Sequence, residues 1–259
     1  MSSFVFAFLL TLAAGLSTLI GGLIAFLPKK SNGKFLCISL GFSAGVMIYV
    51  SMIEIFSKAK DNLTSHTDAT LGVALASLAF FCGIVLIAII EKFIPSKNTL
   101  PQNQTDSHSK QMLKTGSLIV IAITVHNFPE GLTTFISALS EPYVALPIFV
   151  AIAIHNIPEG IAVSVPIYEA TKSKKHAFLF CLLSGLAEPL GAIIGYLLLL
   201  PIMSDLLLGI IFGVVAGIMV YISFDELLPS AKKYGNHSLA TIGLFLGMLV
   251  MAISLILFA

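Results

Sequence analysis

Two hexapeptides, HNFPEG at His126–Gly131 and HNIPEG at His155–Gly160, lie 29 positions apart inside apolar stretches. In each, histidine and glutamate are four residues apart, and asparagine and glutamate three. On a helix these spacings share one face. An imidazole nitrogen, an amide oxygen and a carboxylate oxygen then point the same way, twice over: His126, Asn127 and Glu130, and His155, Asn156 and Glu159. Mixed nitrogen and oxygen donors suit first-row divalent ions such as zinc, iron and manganese. Pro129 and Pro158 lack an N–H, so the carbonyls of Val125 and Ile154 lose their helical partner, and Gly131 and Gly160 loosen the helix further.

Glu188 adds a third carboxylate in the middle of another apolar run. No lysine lies within these three runs to neutralise Glu130, Glu159 and Glu188. Burying three unpaired negative charges together is costly. A bound cation offsets that cost, and two divalent ions bridged by shared glutamates offset it best.

The elements that must position these groups are membrane helices. The chain has 259 residues, 57% hydrophobic and 10% charged, with a mean hydropathy of +1.01. Soluble domains carry about 25% charged residues. A bilayer core needs about 20 apolar residues per helix. The hydropathy predicts eight spans: Phe4–Leu27, Phe35–Phe56, Leu71–Ile94, Ser117–Leu139, Val144–Ile167, Ala177–Leu200, Leu206–Leu228 and Leu239–Phe258. The apolar runs are continuous rather than alternating, which excludes a β-barrel. The short gap between the fourth and fifth spans predicts a tight antiparallel pair.

All basic side chains are lysines. Lys29, Lys30, Lys34, Lys92, Lys97, Lys110, Lys114, Lys172, Lys174, Lys175, Lys232 and Lys233 fall in alternate loops; Lys58 and Lys60 fall on the other side. By the positive-inside rule the lysine-rich loops are cytoplasmic and both termini lie outside a plasma membrane. The N-terminus has no basic n-region, so its apolar run is read as a retained span. A net charge of +1 marks no nucleic-acid partner. Cys37, Cys82 and Cys181 show no CxxC spacing and are read as small buried hydrophobes. Residues 95–114 are polar and predict a flexible cytoplasmic loop in an otherwise single domain, 1–259.

GFSAGVMIYVSMIEI from Gly41 matches GVVAGIMVYISFDEL from Gly213 at an offset of 172, and AGLSTLIG from Ala14 echoes SGLAEPLG from Ser184 at 170. The fold expected is an all-α polytopic membrane protein with a 3+2+3 arrangement. Spans one to three and six to eight form inverted repeats flanking spans four and five. Such repeats with a midplane site mark secondary transporters. Small-residue helix packing accounts for the glycines and alanines; the matching Met, Tyr, Ser and Glu exceed it. Glu54 and its repeat mate Glu226, with Asp225, are expected near opposite ends of an ion route, with the Met47 thioether beside it.

The paired strings, the eight spans and the variable third loop resemble the ZIP (Zrt/Irt-like) family of divalent-metal transporters over essentially the whole chain. The resemblance implies a first metal site at His126, Glu130, His155 and Glu159. It implies a second at Asn127, Glu130, Asn156, Glu159 and Glu188, bridged by the two glutamates. It also implies carriage of Zn²⁺ into the cytoplasm, with Fe²⁺, Mn²⁺, Co²⁺ or Cd²⁺ as further cargo. The ion is a substrate rather than a cofactor; the partners are divalent metal ions and the lipid bilayer, and a homodimer is open to such a chain. The third loop lacks the histidine-rich character of many members, and span seven has Phe-Asp-Glu where several have a His-Glu pair. Two competing classes use similar donors. An intramembrane metal-dependent hydrolase needs an open coordination position and a base, and HNxPE is not the HExxH helix of metalloproteases. An exporter would use the same ligands.

Overall fold

A computed structural model describes residues 3–26, 33–93, 104–140, 142–199 and 204–258. Among these residues the regular structure is helical throughout, and eight helices are long and apolar enough to cross a membrane. They are α1 (Ser3–Ile24), α2 (Gly33–Thr64), α3 (Ala69–Phe93), α4 (Gln104–Ser140), α5 (Pro142–Thr171), α6 (Lys174–Leu197), α7 (Asp205–Tyr234) and α8 (His237–Phe258). Each expected span has its helix.

The boundaries differ in two informative places. α2 runs eight residues past Phe56, because Ala59 and Leu63 are buried against Gly209 of α7 and hold a polar segment in helical form. α4 begins at Gln104, so residues 104–114, assigned to the loop from composition, continue the membrane helix. Gln, Lys, Met and Leu are good helix formers, and no proline or glycine interrupts them before Gly116. Residues 95–103 of the expected loop lie outside the described residues.

Helix starts follow local chemistry. Asp68 accepts the backbone N–H groups of Thr70 and Leu71 at 3.0 Å and caps α3. Ser173 caps α6 and Ser204 caps α7 in the same way. The chain turns from α5 into α6 through Lys172, whose φ of 52° is left-handed; its ammonium pairs with Glu169.

Polar side chains gather inside and apolar ones face outward, as a lipid solvent requires. Thr11, Thr18, Ser43, Asn127, Asn156 and Glu188 are fully buried, whereas Leu78, Phe81, Phe245 and Ile256 are exposed. α3 and α8 are the most peripheral helices. Cys37 and Cys181 are buried as expected; Cys82 is exposed on α3, because its position falls on the face turned away from α7.

Helix neighbours come in matched pairs: α2 packs on α8 and α7 on α3, α1 packs on α5 and α6 on α4, α2 touches α5 and α7 touches α4. Both α2 and α7 widen into π-helix, at Val50–Ile55 and Ser223–Leu227. In each, a buried serine donates to a methionine carbonyl one turn back: Ser51 Oγ to Met47 at 2.6 Å, Ser223 Oγ to Met219 at 2.7 Å. Such back-bonding competes with the regular ladder and bends helices.

Glycines bring backbones into direct contact in two separate sets. A Cβ at Gly21 or Gly160 would strike the facing backbone between α1 and α5. Gly15 and Gly185 meet each other between α1 and α6, and Gly131 and Gly191 do the same work between α4 and α6. On the other side Gly41, Gly45, Gly243 and Gly247 join α2 to α8, and Gly83 and Gly217 join α3 to α7. The nearest neighbours of every helical glycine lie within its own set, either α1, α4, α5 and α6 or α2, α3, α7 and α8.

Contacts that cross between the sets are made by side chains. Ser43 Oγ donates to the Pro158 carbonyl at 2.7 Å, and Lys114 Nζ lies 2.7 Å from Glu91 Oε1. Buried Thr115 donates to Glu226 Oε2 at 2.5 Å. Thr115→Val removes that donor and leaves a buried carboxylate oxygen unsatisfied. The expected loss is about 1–3 kcal/mol, read as a lower melting temperature in detergent, with Thr115→Ser retaining wild-type stability.

Candidate metal centre

The α-helical spacing of the two hexapeptides does what the sequence requires. α4 and α5 continue through Pro129 and Pro158 and present their polar faces to one another. Glu130 sits between two imidazoles: its Oε1 is 2.9 Å from His155 Nε2 and its Oε2 is 3.3 Å from His126 Nε2. Glu159 Oε1 is 3.8 Å from the same His126 nitrogen. The donor atoms of His126, Glu130 and His155 all lie within 4.8 Å of one another. Two ligands of a tetrahedral zinc at about 2.0–2.2 Å are separated by about 3.3–3.6 Å. The observed spacings bracket that bite.

The remaining candidates occupy an adjoining layer. Asn156 Nδ2 donates to the Ala14 carbonyl at 2.9 Å and to Glu188 Oε1 at 2.5 Å. Asn127 Nδ2 donates to the Ser184 carbonyl at 3.3 Å. Both amides thus spend their N–H groups on fixed partners in α1 and α6, which fixes the orientation of their oxygens. The α6 backbone reaches this layer because Gly131 has no Cβ to hold off the Glu188 carbonyl.

Six buried polar atoms here have no hydrogen-bond partner: His126 Nε2, Asn127 Oδ1, His155 Nδ1, Asn156 Oδ1, Glu159 Oε2 and Glu188 Oε2. Among the described residues only Thr18 Oγ1 and Ser254 Oγ share that condition. Native interiors satisfy nearly all such groups. Four unsatisfied oxygens and two imidazole nitrogens are a donor set that suits a hard or borderline cation.

A cavity of about 540 Å³ leads from Glu130 and His155 to the end of α2, past Thr133, Thr134, Ser137, Glu54, Lys58 and Asp61. Glu130, Thr133, Thr134 and Ser137 fall at i, i+3, i+4 and i+7 of α4, a polar stripe that was readable in the sequence but not singled out there. Glu54 lies on this cavity wall, well inside α2 rather than near its end. Met47 is fully buried in the apolar core and is not among the residues lining the cavity, so it offers no thioether to this path. At the opposite membrane face Glu91, Asp225 and Glu226 bring their carboxylates within 4.8 Å of one another. Glu91 is engaged there by Lys114 and by the Tyr221 hydroxyl at 2.8 Å. His66, on the α2–α3 turn, lies 3.7 Å from Asp205 in the open.

Residues 92–255 match the family model described as ZIP Zinc transporter. The chain belongs to the ZIP zinc transporter family. This ZIP member is 60% identical over 256 residues to a protein of Streptococcus mutans named zinc transporter ZupT, covering 97% of each chain. It is 54% identical to a protein of the same name in Clostridium perfringens, over 100% of this chain and 98% of the relative. A third relative, from Oceanobacillus iheyensis, carries the same name and is 52% identical over the full length of both chains. The chain is therefore a multi-pass membrane protein of a transporter family, not an enzyme.

Proposed function

We propose that the protein imports Zn²⁺ across the plasma membrane, with His126, Asn127, Glu130, His155, Asn156, Glu159 and Glu188 as ligands and Glu130 and Glu159 shared between two ions. One observation carries the reading: the imidazoles of His126 and His155 grip Glu130 at zinc-like spacing, on the floor of a cavity that opens to one side of the membrane. The lysine distribution supports placing that opening outside, with both termini on the same side. The matched helix contacts and the paired π segments in α2 and α7 support an inverted-repeat, 3+2+3 construction. The names of the relatives support zinc as cargo; the nitrogen and oxygen donors also suit Fe²⁺, Mn²⁺, Co²⁺ and Cd²⁺.

Metal would reach Glu130 through the cavity, exchange water for the buried donors and leave toward Asp225 and Glu226. Purified protein in proteoliposomes should take up ⁶⁵Zn from the face bearing the cavity. Competition with the other ions gives the selectivity order. Vesicles that accumulate no zinc would overturn the reading, and net efflux under the same gradient would favour an exporter. Two ions per chain by mass spectrometry, falling to one in Glu188→Gln, would support the shared-glutamate arrangement; one ion in both proteins would remove it.

A further inference from the structure

Lys58 is the one lysine among the described residues lining the cavity, and it stands in front of a cation site. Its Nζ lies 2.8 Å from Glu54 Oε1, one helical turn back on α2. As a surface ion pair this contact would be worth little. Its position gives it another consequence. Glu54, Asp61 and Glu130 are the carboxylates on the cavity wall, and Lys58 neutralises the one it touches. An arriving dication therefore meets a fixed ammonium where an unpaired carboxylate would otherwise attract it. The side chain is about half exposed, so it is hydrated and free to swing. Lys60, two positions on, is not among the residues lining the cavity.

We infer that Lys58 is a tethered competitor of the cargo: its ammonium occupies Glu54 and sets the affinity with which divalent ions are admitted from the cavity mouth. The inference rests on the transport reading above. Removing one positive charge within several ångströms of a dication's path, in hydrated and partly screened surroundings, should change capture by about three- to tenfold. The chemistry at Glu130 is untouched, so the effect falls on capture rather than on turnover.

The test measures zinc affinity by titration of the detergent-purified protein and initial ⁶⁵Zn uptake rates in proteoliposomes. It compares wild type, Lys58→Gln, Lys58→Arg and Lys60→Gln at low and high ionic strength. Lys58→Gln is expected to bind zinc more tightly and to lower KM by about three- to tenfold, with a maximal rate within about twofold of wild type. That gain should shrink in high salt. Lys58→Arg should behave as wild type, and Lys60→Gln should change neither quantity. An unchanged or raised KM with an unchanged or weakened zinc affinity in Lys58→Gln, or an equal gain in Lys60→Gln, would overturn the inference. Should wild-type vesicles take up no zinc, the transport reading fails, while the titration still decides whether Lys58 competes for the cation.

Discussion

Replacing Glu130 with glutamine is expected to cut zinc uptake by more than about a hundredfold while leaving the helices folded. Changes around metal ligands that only orient them already cost about 10–100-fold, and Glu130 is proposed as a ligand itself. It is the group both imidazoles address, at 2.9 and 3.3 Å. Glutamine keeps the size and one oxygen but removes the charge that balances a dication. Uptake of ⁶⁵Zn and the melting temperature of the purified variant should be read together. Activity retained above a tenth of wild type would mean that the ion is held elsewhere. Loss of activity with loss of fold would leave Glu130→Asp, shorter by one methylene but still charged, to decide between binding and stability.

Gly131→Val is expected to be the most damaging substitution to the fold. A Cβ at this position overlaps the backbone carbonyl of Glu188, and no rotamer change relieves a clash with backbone. Overpacking costs about 1–3 kcal/mol and occasionally more; here α4 must separate from α6, which also displaces Gly191 from the Phe128 carbonyl. The expected result is little folded protein in detergent. Gly116→Ala is the contrast: its Cβ would press on the buried Ile167 side chain and come no closer than 3.3 Å to backbone, so the melting temperature should fall by less than in Gly131→Val. Equal losses in both variants would show that the close approach of α4 and α6 is not what the glycine preserves.

The polar faces of α4 and α5 were legible because helical spacing alone brings His126, Asn127 and Glu130 together, and hydropathy alone marks the surrounding bilayer. The repeat at Gly41 and Gly213 was legible as residue identity, and the paired serine bonds to Met47 and Met219 give part of that identity a physical cause. The α2 side of the cavity wall was not legible. A π segment adds a residue to α2 at Val50–Ile55, which turns everything after it by about 100° relative to a regular helix. The directions of Glu54, Lys58 and Asp61 therefore cannot be read from a helical wheel. Residues 57–64 looked like a loop for a similar reason: their polarity is a local property, while the packing of Ala59 and Leu63 against α7 is not. The carbonyls of Ala14 and Ser184, which orient the two asparagines, carry no side-chain signal at all.

All seven proposed ligands stand on α4, α5 and α6, and those helices, with α1, are stitched backbone to backbone by their glycines. The boundary with α2, α3, α7 and α8 runs beside this cage without cutting through it. A shift along that boundary would move a dication as a passenger, its coordination intact from departure to arrival. Selectivity would then be decided once, at boarding, and the resistance to transit would come from side-chain contacts such as Thr115 with Glu226 rather than from stripping ligands off the metal midway.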